Sequence, residues 1–189
     1  ADARPVFEAI AQTGIRLLSC EGAAVLIRDG DTFIPEGGYQ TTGRIADLNP
    51  EPVPIDAALN YPSQVFLSGE MVHIPDLDSV ELPVHERDTV QKFGMKSAIY
   101  LPMIREGVTL GVLIFTRVSK ARAFSAEEIE LAESFCDQAL IAIENTRLFN
   151  DTQASLARQT ASADILRVIS RSPDDVTPVF KEIVKLAIS

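Results

Sequence analysis

Two cysteines, two histidines and a few close acidic pairs are the groups in this 189-residue chain whose types could do chemistry. Ser19 and Cys20 stand together, but no histidine lies near them to act as a base. Cys136 sits in an unrelated context, and two cysteines without a spacing motif make no disulfide framework, so both read as small buried hydrophobes. His85-Glu86 opens like a zinc-binding helix but lacks the second histidine four residues on, where Thr89 stands. Asp76 and Asp78 could divide acid and base roles, yet Pro75-Asp76-Leu77-Asp78 is also good turn chemistry, and the turn reading is preferred. His73 lies between Val72 and Ile74, so strand alternation directs it opposite to them, toward a pocket or toward solvent. No GxSxG, P-loop or GxGxxG pattern occurs. These groups form no catalytic or metal-binding constellation, and the sequence implies no enzyme and no cofactor.

Charge and hydropathy narrow the class further. Seventeen Lys and Arg against 27 acidic residues give a net charge of −10, and the basic residues do not cluster, which argues against nucleic acid. No apolar run approaches the roughly 18 residues of a membrane span, so no direct membrane contact is expected, and nothing resembles a signal peptide. The unpaired cysteines fit a reducing, cytoplasmic setting. At 46% apolar, the chain can bury the core of one domain with an appendage.

Several elements must position whatever site exists. From Arg4 to Leu18, apolar residues at intervals of three and four predict an amphipathic helix with Pro5 in its first turn. AAVLIRDGDTFIP reads as a hairpin turning at Asp29-Gly30, and SAIYLPMI–EG–VTLGVLIFTR as a second turning at Glu106-Gly107. In the last strand Val112 and Ile114 oppose Leu113 and Phe115, which predicts a central strand covered on both faces. The Pro-rich middle, 41–94, carries only a short helix ending at Gly69, a short strand MVHIPD and a second short helix ending at Gly94. Irregular segments of this length inside a domain are usually binding loops, so any small-molecule recognition is expected there.

Ser125-Ala-Glu-Glu128 is a capping-box pattern, and no Pro or Gly follows it until Pro173. The interval predicts a helix from Ser125 to Arg171, about 70 Å long at 1.5 Å per residue. Its apolar stripe through Ile129, Ala132, Cys136, Ala139, Leu140 and Ile143 thins to Leu148, Leu156 and Ala163, a narrow seam that suits pairing with another helix. Ser172-Pro173-Asp174-Asp175 then starts a new helix, and that helix carries PVFKEIV, which nearly repeats PVFEAIA at Pro5. The chain reads as a piece of a longer protein, holding one complete module and the opening of another.

The order helix, hairpin, loop-rich middle, hairpin, long helix resembles a GAF domain, the small-molecule-sensing module of bacterial signalling proteins. The resemblance rests on PSQVFLSGEMVHIPDL at 62–77, MKSAIYLPMIREGVTLGVLIF at 95–115 and FSAEEIELAESFCDQALIAIENTRLF at 124–149. It implies an α+β fold: a six-stranded antiparallel sheet, terminal helices on one face, loops and short helices over a ligand pocket on the other, and a long linker helix beyond. The implied organisation is a sensor domain at 1–150, a helical signalling linker at 151–171 and the first helix of a truncated second module at 172–189. Arrays of this kind resemble those of sensor histidine kinases and some nucleotide cyclases.

The implied function is non-catalytic: binding of an unknown small-molecule ligand, relayed through a parallel homodimer of terminal helices. A ligand-free dimerisation and spacing domain is the rival reading. Cyclic-nucleotide-binding members carry an Asn-Lys pair, a Phe and an Asp-Glu pair; here Arg117-Val118, Phe124 and Glu128-Ile129 leave that motif degenerate. No cysteine lies between Gly22 and Phe135, so the resemblance supports neither covalent bilin attachment nor methionine-sulfoxide reduction. The expected pocket residues are Tyr61, Phe66, His73, Asp76 and Tyr100.

Overall fold

Apolar side chains at helical spacing make α1 (Arg4–Leu18), which buries Phe7, Ile10, Ala11, Gly14, Ile15 and Leu18. The computed structural model describes residues 4–45 and 51–171. Residues 2–144 form one compact unit, and the chain from Asn145 onward is grouped in a second. The expected opening of a second module at 172–189 lies outside the described residues.

In the first unit, β1 (Gly22–Asp29) and β2 (Thr32–Gln40) pair antiparallel with Asp29 opposite Thr32. The tight turn is therefore Gly30-Asp31, one residue beyond the expected Asp29-Gly30. Gly30 takes φ 61°, and a glycine at the first central position is what a two-residue hairpin of this kind favours. The second hairpin falls where expected. β6 (Ser97–Arg105) and β7 (Val108–Arg117) set Arg105 opposite Val108 and turn at Glu106-Gly107, with φ 51° and 79°.

Short strands β3 (Gly43–Arg44), β4 (Val53–Pro54) and β5 (Val72–Ile74) complete the sheet. Its path is β3-β2-β1-β7-β6-β5, with β4 added beside β2, and each pairing is antiparallel. Six strands were expected; the sheet among the described residues has seven, the two-residue β4 being the addition.

Helix α2 (Tyr61–Ser68) starts at Asn60, whose Oδ1 accepts the Ser63 N–H at 2.8 Å, and ends at Gly69. α3 (Val84–Phe93) ends at Gly94. α4 (Ala126–Arg171) runs through the interval free of Pro and Gly. Its capping box is complete: the Ser125 N–H donates to Glu128 Oε2 at 2.8 Å, and the Glu128 N–H donates to Ser125 Oγ at 3.2 Å.

β7 is covered on both faces. On one, Leu113 and Phe115 join Ile99 and Leu101 of β6 beneath α1 and the start of α4, where Ala132, Cys136 and Ala139 are buried. α1 lies so close to β2 that a Cβ on Gly37 would stand 2.7 Å from Phe7 Cβ and 3.1 Å from the Phe7 carbonyl carbon. On the other face, Val112 and Ile114 pack with Leu26, Val65, Leu77 and Val90 under α2 and α3. Each fully buried aliphatic or aromatic side chain contributes about 1.5–3 kcal/mol. Both cysteines are free and buried; burial pushes the Cys20 thiol up to about 11 and the Cys136 thiol up to about 12.

Candidate functional site

Between the sheet and the pair α2–α3 lies a cavity of about 340 Å³. Its floor comes from small and apolar side chains that alternation presents on one face of the strands: Ala24 and Leu26 of β1, Phe33 of β2 and Ile114 of β7. Its far wall is α3. There His85, Asp88, Thr89 and Lys92, spaced at three and four residues, form an exposed rim. Glu86 and Val90, four apart, turn inward instead and are buried.

Glu86 is the central group. Only 3% of it is exposed, yet it carries a carboxyl. Its Oε1 accepts the Tyr100 hydroxyl at 2.6 Å, and its Oε2 accepts the Tyr61 backbone N–H at 3.0 Å. Tyr61 is the first residue of α2, so Glu86 satisfies an amide that the helix leaves unpaired, while Asn60 satisfies another. Burial pushes the Glu86 carboxyl above its ordinary range, against the pull of these two hydrogen bonds. Burial also lifts the Tyr100 phenol well above its usual value, with the Glu86 charge adding to the effect. Tyr100 therefore stays protonated and donates.

β7 links the cavity to α4. Thr116 lines the cavity. The next residue, Arg117, donates from one guanidinium nitrogen to Glu128 of α4 at 2.8 Å and from another to the Ser19 carbonyl at 3.1 Å. Its guanidinium also lies over the Phe124 ring, 4.4 Å from the centroid. The positions of the degenerate nucleotide motif thus hold a structural ion pair.

The five residues expected at a pocket separate into groups. Tyr100 lines the cavity. Tyr61 lies beside it, with ring centroids 5.5 Å apart, and shares Glu86 through its backbone. Phe66 stacks at 5.4 Å on Phe33, which lines the cavity, and belongs to the packing behind it. His73 is half-buried and does not line this cavity: its Nε2 accepts the Phe124 N–H at 3.1 Å, and its ring meets the Phe124 ring edge-on. Burial lowers its pKa, which suits an acceptor. Asp76 accepts the Asp78 N–H at 3.0 Å and caps the 3₁₀ turn Leu77–Ser79, in keeping with the turn reading.

Glu86, Phe33 and Asn60 were not anticipated at the site. For Glu86 the signal was its i, i+4 relation to Val90, which puts both on the buried face of α3. Among the described residues, no group of three or more His, Cys, Asp or Glu side chains could hold a metal ion. The site is apolar with a few convergent polar groups, the usual make-up of a small-molecule pocket.

The comparisons with known proteins agree with this architecture. The family model for the GAF domain matches residues 2–143. Among solved structures, the chain is similar to the GAF-B domain of DevS from Mycobacterium smegmatis, with 21% identity and TM-score 0.62, covering 80% of this chain and 99% of that one. It is similar to the blue-light-absorbing form of the PixJ GAF domain of Thermosynechococcus elongatus, with 18% identity and TM-score 0.65, covering 83% and 94%. It is also similar to residues 122 to 287 of a methyl-accepting chemotaxis protein, with 21% identity and TM-score 0.64, covering 78% and 92%. At these identities the likeness is one of fold. No curated protein matches the chain. The family match takes in the whole sheet, the helices on both its faces and the start of α4, and the chain belongs to the GAF domain family.

Proposed function

We propose that this chain is a non-catalytic sensory module that binds a small ligand between the sheet and α2–α3 and passes the result to α4. The observation that carries this reading is the 340 Å³ cavity, which falls within the range of small-molecule sites, about 300–1,000 Å³. A ligand against Thr116 is one residue from Arg117 and its bond to Glu128 at the start of α4. Binding biases the helix only by the difference in affinity for its two arrangements.

The output is proposed to be a histidine kinase, with a nucleotide cyclase as the alternative. α4 carries Phe149, Leu156 and Ala163 at exposed positions seven residues apart, a spacing that supports parallel pairing with a second copy. Among the described residues no helix is long and apolar enough to cross a membrane, and the free buried thiols suit a cytoplasmic setting.

Native mass spectrometry of the protein as purified from cells tests both parts. The expected spectrum is a dimer carrying the excess mass of a small molecule, which is lost on denaturation. A bare chain that also gains no thermal stability from a metabolite library would count against ligand sensing. A monomer at micromolar concentration would count against the helical relay.

A further inference from the structure

The cavity holds one deeply buried ionisable acid and no buried cation to answer it. Of the charged side chains that border it, Asp88 and Lys92 stand exposed on the rim of α3, as does His85. Glu86 alone is sealed from solvent. Its two hydrogen-bond donors, the Tyr100 hydroxyl and the Tyr61 amide, are both neutral, and among the described residues it has no ion-pair partner. A carboxylate offers about four acceptor sites, and these donors engage one on each oxygen. The carboxylate therefore keeps acceptor capacity, and Glu86 is among the residues that line the cavity.

The neighbouring polar groups do not answer it. Among the described residues only the Tyr100 hydroxyl and the Tyr61 amide donate to Glu86, and Phe33, Leu26 and Ile114 supply only apolar surface. A buried carboxyl among apolar walls is left protonated or is met by an opposite charge.

Resting on the sensory reading above, we propose that the ligand of this cavity is a small organic cation. Its amine or amidinium N–H groups would bond Glu86, and its apolar body would lie against Phe33, Leu26 and Ile114. A ligand bearing a carboxylate or phosphate would bring like charge to Glu86 where little water screens it.

The test uses three probes that share a phenyl ring and a two-atom reach: phenethylammonium, 2-phenylethanol and phenylacetate. Each is titrated at neutral pH into the ¹⁵N-labelled full chain, and shifts are read at the amides of Tyr61, Glu86 and Tyr100. The expected result is that phenethylammonium binds about tenfold or more tightly than the other two, the effect of one charge-assisted hydrogen bond. In Glu86→Gln, which keeps an acceptor for the Tyr100 hydroxyl, that preference collapses to near equality. Should this variant fail to fold, the ranking of the three probes on the unaltered chain decides alone. Equal or tighter binding of the alcohol or the carboxylate at these amides overturns the cation and leaves the cavity as a sensor site. If none of the three moves a cavity amide, the cation is overturned and the sensory reading loses its binding site as well.

Discussion

Tyr100, in the middle of β6, and Glu86, in the first turn of α3, are joined by a 2.6 Å hydrogen bond although only 1% of the one and 3% of the other is exposed. The bond ties the sheet to the helix across the wall of the cavity. Replacing Tyr100 by Phe leaves the packing and removes the hydroxyl, and should lower the unfolding free energy by about 1.5–3 kcal/mol in urea titrations. Glu86→Ala should cost more, because the Tyr100 hydroxyl and the Tyr61 amide both lose their acceptor. A Tyr100→Phe protein as stable as the parent would mean that water replaces the bond.

The same pair sets a pH dependence. The folded Glu86 carboxyl is raised above its ordinary value of 4.5, so the fold binds its proton more tightly than the unfolded chain does. Its contribution is fully present below the unfolded value and is lost as pH rises through the folded value. Urea midpoints measured from about pH 4 to 8 should show this decline, and Glu86→Gln, which cannot ionise, should flatten it.

Glu128 works in the opposite sense. Burial opposes its ionisation, but Arg122, the Ser125 amide and Arg117 together hold the carboxyl down at about 2. Its contribution is present above the ordinary 4.5 and is lost as pH falls toward about 2. Glu128→Gln should therefore remove part of the acid-induced unfolding seen by circular dichroism. It should also lower stability at neutral pH by about 1.5–3 kcal/mol, since the buried Arg117 guanidinium loses its carboxylate.

Glu106 holds φ 51° in a two-residue turn, a conformation that asparagine accepts more readily than glutamate. Its side chain lies 3.9 Å from Arg105 in an exposed pair, which contributes little. Glu106→Asn should stabilise the chain by about 0.5 kcal/mol, seen as a rise in melting temperature of roughly 1–2 °C. A fall would show that the Arg105 pair matters more than the turn.

Cys20 and Cys136 should resist thiol reagents. Burial raises both thiols, to about 11 and about 12, so little thiolate exists at neutral pH. Ellman's reagent at about pH 8 should leave both unmodified in the native protein and modify both in denaturant. Rapid labelling of the native protein would show that one of the thiols becomes accessible.

Much of the fold was legible in short-range pattern. Ser125 and Glu128 announced a capping box that forms with both bonds, and Glu106-Gly107 announced its turn. The double apolar face of β7 announced a sheet with two cores. The first hairpin slipped by one residue because glycine governs the turn more strongly than Asp29 does.

The site was harder to read. His73 alternates as expected, but which side of the sheet it faces depends on the partner strand: it pairs with Ile99 of β6, which belongs to the core under α1 and α4. Tyr100, the next residue along β6, belongs to the opposite face. Glu86 sits in a helix whose composition is that of an exposed surface, and only its spacing from Val90 gives it away. The loop-rich middle, 41–94, supplies only part of the cavity's lining, and strands β1, β2, β6 and β7 supply much of the rest.

Gly37 gives the two faces of the sheet separate handles. Its missing side chain is what lets Phe7 of α1 settle against β2, on the side away from the cavity. A single methyl group added there would act as a wedge under the N-terminal helix. Gly37→Ala should destabilise the chain by about 1–3 kcal/mol in urea while the amides of Glu86 and Tyr100 keep their shifts. Such a variant loosens the core under α1 and spares the one under α2 and α3, so the two halves of one small module can be perturbed one at a time.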